Sequence, residues 1–212
     1  MNWLRRNIIG IIAIGVLVYL FIPIAVVGVL SFNSPEGKYN TSWNEFSVDA
    51  WTNICGVPGV CSSFVVSIQI GLLSTAVATI FGTMIAFALV RYRFRGRDST
   101  NLLIFLPMAT PEVVLGSSLL ALYLNLTFPL GFWTVLIAHI MFIISFIVVA
   151  VKARLQGMDP RLEEASRDLY ANPTATFRHV TFPLVLPGIL GAALLGFALS
   201  FDDFIITFFN AG

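Results

Sequence analysis

Charge is what this chain has least of. Asp, Glu, Lys and Arg make up 11% of its 212 residues against 58% hydrophobic, where a water-soluble domain carries roughly 25% charge. That deficit excludes a soluble globular protein and leaves an integral membrane protein. The sequence has no G-x-x-x-x-G-K-[ST] loop, so it cannot cradle the phosphates of a nucleotide by itself. It also has no H-E-x-x-H and no G-x-S-x-G, which removes the usual metal and nucleophile constellations of an intramembrane enzyme. No catalytic residue, metal site or cofactor is implied. Charge-rich tails, low-complexity tracts, linkers and internal repeats are all absent. A net charge of +1 says nothing about nucleic acid, because the basic residues are distributed by topology, and no nucleic-acid partner is expected.

What remains is a series of apolar runs, at about 8–30, 63–90, 101–124, 132–151 and 184–207. Each is near the roughly 20 residues that a spanning helix needs. The fold class is therefore all-α, a polytopic membrane helical bundle in contact with lipid, read as one transmembrane domain over 1–212. Small residues recur at helical spacing in the second run (Ser67, Gly71, Thr75, then Ala78, Gly82, Ala86) and the fifth (Gly188, Gly191, Ala192). Such stripes let a second helix approach closely. With Arg5 inside, eleven of the twelve basic residues fall on one side and only Lys38 on the other. This is the pattern of cytoplasmic loops, and it puts the N-terminus in the cytoplasm. Cys55 and Cys61, the only cysteines, share the first outward loop. They can form a local disulfide in an oxidising compartment, or stay as two unpaired small hydrophobes.

Three acids and one histidine interrupt the apolar runs. Thr110-Pro111-Glu112 reads as a fresh helix start inside the third span, with Thr110 as cap and Pro111 at the first helical position. Glu112 then lies roughly 16 Å into the membrane. In the fifth span Gly196, Ser200, Asp203 and Thr207 share one face of a single helix, with Asp203 about 24 Å beyond Pro187 and Asp202 turned about 100° away. Glu112, Asp202, Asp203 and Ser200 are the candidates for a solute path. Carboxylates in a membrane are costly and commonly line water, though a kink partner (Glu112) or an outer water layer (Asp202, Asp203) would also account for them. With no Lys or Arg in the spans, such a path favours cations and rejects anions. His139, without a visible partner, reads as a hydrogen-bonded packing residue.

Between the fourth and fifth runs lies a stretch that cannot sit in lipid, 159–183. It reads as two short helices in tandem, Asp159 capping one from Pro160 to Ala171 and Asn172 capping another from Pro173 to Thr181. Glu163 and Arg167 form a favourable i,i+4 pair and Glu164 and Asp168 an unfavourable one. Pro183 and Pro187 are expected to close this segment and open the last span.

The residues Glu164-Ala165-Ser166, then Tyr170, then Val180 and Phe182-Pro183, resemble the E-A-A-x3-G-x9-I-x-L-P signature of permease subunits in binding-protein-dependent ABC importers. LPMATPEVVLGSSLL at 106–120 and LSFDDFI at 199–205 are similar to the spermidine/putrescine branch. The resemblance covers nearly the whole chain and implies the type I ABC importer permease architecture in a bacterial inner membrane. Five spans are visible of an expected six, so the sequence given is a fragment or a shortened subunit. It implies that Glu163, Glu164, Ala165, Ser166, Asp168, Tyr170, Asn172, Pro173 and Pro183 couple the bundle to cytoplasmic ATPase subunits, which bind the ATP. A second homologous permease and an extracytoplasmic solute-binding protein complete the implied assembly, and a polyamine is the implied cargo. Another solute, a secondary transporter or a channel subunit are the alternatives. Tyr170 departs from the signature glycine, which leaves the turn between the short helices open.

Overall fold

The structure is a computed structural model describing residues 2–37 and 39–212. Lys38 and the side chains of residues 2–6 lie outside the described residues, and with them the topology assignments of Arg5, Arg6 and Lys38. Ten α-helices follow in order, with no β-strand among the described residues: α1 (Asn2–Leu30), α2 (Asp49–Thr52), α3 (Val60–Arg91), α4 (Arg97–Ala109), α5 (Glu112–Asn125), α6 (Phe132–Gln156), α7 (Arg161–Asp168), α8 (Pro173–Thr176), α9 (Phe182–Asp202) and α10 (Ile205–Asn210). Four stretches are long and apolar enough to cross a membrane: Asn7–Leu30, Val60–Arg91, Phe132–Gln156 and Pro173–Asp202. The α4–α5 pair passes the same test, bent by 106° at its break.

Two compact units divide the chain, residues 1–64 and 65–212. In the first, α1 is apolar around its circumference from Ile8 to Leu30. Its last carbonyls are met by the following loop: Asn40 donates to the Leu30 carbonyl at 2.6 Å. Asn33, buried, organises that loop by donating to Asn40 and the Ser42 carbonyl and accepting from the Asn44 and Glu45 amides. Phe32 stacks on Phe46 and Trp51. A disulfide joins Cys55 to Cys61.

In the second unit α6 is the central post. Its Phe142, Ile143, Ile147, Val148 and Val151 are buried, and α9 lies along it through Val185, Ile189, Ala192 and Gly196. Glycine sets the spacing. A Cβ on Gly82 of α3 would come within 2.9 Å of the Ile147 methyl group, and one on Gly196 of α9 within 3.0 Å of the same side chain. Ile147 thus packs against two helices whose closeness depends on hydrogen at those positions. Without an apolar-solvent gradient between helices, such contact is what holds them together in lipid.

Three expectations are corrected. Thr110 caps the end of α4, not the start of α5: the residue before a proline is driven to extended backbone, here ψ 130°, and its hydroxyl donates back to the Leu106 carbonyl at 2.7 Å. Pro111 therefore precedes α5 as its N-cap instead of occupying the first turn. Pro183 does not close the loop either, since helix runs unbroken from Pro173 to Asp202. Pro183 has no N–H, and its ring crowds the carbonyl four residues back. A five-residue π turn at Phe177–Thr181, in which the Phe182 N–H reaches back five residues to the Phe177 carbonyl, shifts the ladder just before it. Finally, the fifth span is not one helix to 207, because it stops at Asp202 and restarts at Ile205.

A Gly82→Ala substitution should destabilise the detergent-purified assembly by about 1–3 kcal/mol through overpacking. Gly191→Ala, where a Cβ meets nothing within 4 Å, should leave stability unchanged. Thermal unfolding of the two variants side by side checks this; equal midpoints would contradict the packing account.

Candidate functional site

The loop between α6 and α9 is built by its caps. Asp159 accepts the Arg161 amide at 3.0 Å, and Asn172 accepts the Ala175 amide at 2.8 Å with Pro173 at the first position of α8. Each side chain satisfies a donor that the first turn of a helix leaves free. The first helix is shorter than 160–171: Pro160, not Asp159, is its N-cap, so it begins at Arg161, and a left-handed turn ends it after Asp168. The Ala171 amide bonds the Ser166 carbonyl and the Tyr170 amide bonds the Arg167 carbonyl, with Tyr170 at φ 62°. This is the Schellman arrangement, whose left-handed position ordinarily takes glycine. Tyr170 therefore makes the turn that glycine would, at a backbone cost of roughly 1–2 kcal/mol. Its ring is 98% exposed.

The outer face of the loop carries Glu164, Ala165, Asp168, Tyr170 and Asn172, all exposed; Pro173, also exposed, borders the inner cavity. The inner face holds the loop to the bundle. Glu163 is the one residue of α7 that is buried. Its carboxylate pairs with both terminal nitrogens of the Arg91 guanidinium, one bond at 2.7 Å, and accepts the Thr181 hydroxyl at 2.6 Å. The expected i,i+4 partner, Arg167, contributes only its nearby charge. Ser166 and Thr176 share a hydroxyl contact at 3.0 Å that ties α7 to α8. Phe87 meets Phe177 edge-on. Around these ties a cavity of about 840 Å³ opens, lined by Thr83, Phe87, Arg91, Glu163, Thr176 and Phe182 among others.

Burial alone would push the Glu163 carboxyl up, but hydrogen bonds from Thr181 and Arg91 and the charges of Arg91 and Arg167 hold it below its usual value of 4.5. A depressed carboxyl contributes stability that is complete above its unfolded pKa and is lost as pH falls through the folded one. The tie is therefore fully made at neutral pH and releases only below about pH 4.5.

The candidate path residues divide into two kinds. Glu112, at the first position of α5, and Asp202, at the last of α9, are exposed. Ser200 and Asp203 are not at a mouth. Ser200 is buried, and the Asp203 side chain is 1% exposed. Asp203 accepts the amides of Ile206 and Thr207 at 3.4 and 3.1 Å, capping α10. His139 stands beside it, with Nε2 3.5 Å from the carboxylate and 2.9 Å from the Thr207 hydroxyl, and Nδ1 2.7 Å from the Ser200 hydroxyl. Ser200 meets Ser74 of α3 at 3.1 Å. His139 does have partners, then, 61 and more residues away in sequence, and so does Glu163. Their only trace in the sequence is that each is a polar residue on an otherwise apolar or inward helix face.

Arg91→Ala would leave a carboxylate in an apolar setting without its counter-charge. The cost should be about 2 kcal/mol, below the roughly 3–5 of a fully buried pair, since Arg91 keeps contact with water. Tryptic cleavage at Arg161 or Arg167 in the assembled protein at neutral pH should quicken on the order of tenfold. Unchanged cleavage would show that the pair does not hold the loop.

Comparison with known proteins matches residues 78–211 to the family described as "Binding-protein-dependent transport system inner membrane component". The chain is 36% identical over 194 residues to the spermidine/putrescine transport system permease protein PotC of Haemophilus influenzae, covering 92% of this chain and 75% of that protein. It is 33% identical over 202 residues to the putrescine transport system permease protein PotI of Escherichia coli K12, covering 92% and 71%. A PotC homolog of Mycoplasma pneumoniae is 34% identical over 217 residues, covering 97% and 74%. The capped loop, the ion pair that ties it down and the helical bundle above it are thus those of a transport permease, and the chain belongs to the family of inner membrane components of binding-protein-dependent transport systems.

Proposed function

We propose that this chain is a permease subunit of an ATP-driven polyamine importer, with the loop at 159–183 as the part that a cytoplasmic ATPase moves. The observation that carries the reading is the loop's two-sided build. Its outer face, with Glu164, Ala165, Asp168, Tyr170 and Asn172, is exposed, while its inner face is tied to α3 through Glu163 and Arg91. Its second half is continuous with the helix that ends at Asp202. A push on such a loop reaches two spans at once. The N-terminus and the loop lie in the cytoplasm, and the loop between α1 and α3, with its disulfide, lies outside, where oxidised thiols persist.

The ATPase binds and hydrolyses the nucleotide. A second homologous permease completes the path, and an extracytoplasmic binding protein delivers the solute. Polyamine as cargo rests on the names of the relatives and on charge. Glu112 and Asp202 are exposed carboxylates at helix ends, and the predicted spans hold no Lys or Arg. A path of that sign concentrates cations and repels anions. The separated ammonium groups of spermidine or putrescine can pass between carboxylates. Ser200 and Asp203 act behind that surface, through the polar cluster with His139.

Glu112→Gln and Asp202→Asn keep size and remove charge. In proteoliposomes holding the whole transporter, each should lower spermidine uptake at least several-fold, while binding of spermidine to the external protein is untouched. Full uptake by both variants together would remove the carboxylates from the path, and ATP-independent uptake by wild type would remove the importer reading.

A further inference from the structure

The interruption of the fifth span has an unusual cause. Helix breaks in membrane spans ordinarily fall at proline or glycine, which cannot complete the ladder or do so at a cost. Here the sequence across the break is Leu199-Ser200-Phe201-Asp202-Asp203-Phe204-Ile205-Ile206-Thr207, with neither. Nothing in the backbone itself forbids these residues from continuing the helix. Asp203 leaves it all the same, at ψ 115°.

Side chains hold the break open. The Asp203 carboxylate takes the amides of Ile206 and Thr207, two donors that an unbroken ladder would supply to carbonyls one turn below. His139 then bridges the gap, one ring nitrogen on Ser200 in the last turn of α9 and the other on Thr207 in the first turn of α10. The two sides have different neighbours beside α6, which touches both. Below the break, α9 runs without interruption into the loop at Pro173, and Arg154 of α6 grips its Leu184 carbonyl. Above it, α10 is fastened to α5 and to the start of α6. Asn210 donates to the Gly116 carbonyl, Thr134 donates to the Asn210 carbonyl, and a Cβ on Gly116 would lie 3.4 Å from the Ile206 Cα.

We infer that the break at Asp203–Phe204 is a reversible joint, held in its broken form by Asp203 and pinned by His139, which lets α9 follow the loop while α10 stays with α5. Continuing the helix would recover two backbone hydrogen bonds and give up the Asp203 cap, the His139 bridge and the Asn210 contacts with Gly116 and Thr134, so the broken form is the resting one and a load on α9 is needed to leave it. An element of that kind can switch when a force biases it. His139 and Asp203 are positioning residues here, and the inference rests on the loop being the driven part.

The test uses the assembled transporter with spin labels at Leu194→Cys in α9 and Phe208→Cys in α10, both exposed side chains. The two native cysteines are joined to each other, so the introduced thiols label alone. Fourteen residues of continuous helix span about 21 Å. The joint predicts two distance populations whose weights change between nucleotide-free and ATP-trapped complexes. His139→Ala and Asp203→Ala should both shift the nucleotide-free sample toward the 21 Å population and lower spermidine transported per ATP several-fold. Asp203→Asn, which still caps a helix, should keep the broken form and His139→Gln should restore part of it. A single distance, unmoved by nucleotide and by His139→Ala, in a complex that still imports spermidine, would overturn the joint and leave the importer reading standing. Loss of ATP-driven uptake in wild type would overturn the importer reading itself.

Discussion

A carboxylate buried where lipid meets water must be answered by charge and hydrogen bonds, and Glu163 is answered from two separate parts of the fold. Arg91 comes from the end of α3 and Thr181 from the π turn that leads into α9. The single side chain therefore joins the loop to both α3 and the helix that continues into α9. Burial without these partners would favour the neutral acid; with them the charged form is the stable one. The tie is local, but it gives a water-exposed element purchase on a bundle that is otherwise held together by close packing.

That packing is itself spare. Ile147 of α6 fills space against Gly82 and Gly196, and Gly188 leaves room for the stem of Arg154 to cross α9. Arg154 can then donate to the Leu184 carbonyl. Small residues and a few long polar side chains thus replace the broad apolar interfaces of a soluble bundle. Along its lower part α9 is held to α6 by these contacts.

Four of the apolar runs and the Asn172 cap were legible in the sequence because each depends on near neighbours. Asp159 and Asn172 act on amides two and three residues away, and the apolar runs depend only on composition. The left-handed turn at Tyr170 was legible only as a departure from glycine. What could not be read depends on contacts across the fold. His139 gives no sign of Ser200, Asp203 and Thr207 until α6 and α9 lie together, and Arg91 looked like a topology anchor when its partner lay 72 residues on. Pro183 misled for a different reason. A proline beside a charged stretch normally ends a helix, but one residue of π register accommodates it, and that register leaves no mark in the sequence.

The central claim is that the outer face of the loop meets a motor subunit in the cytoplasm. Tyr170, fully exposed at the tip of its turn, is the place to ask. A photo-activated or thiol cross-linker at Tyr170→Cys, applied to inside-out vesicles of the intact assembly, should capture the ATPase subunit, with a yield that changes when ATP is trapped. Labelling of that cysteine only from the outer side, or capture of no ATPase in any nucleotide state, would contradict the account.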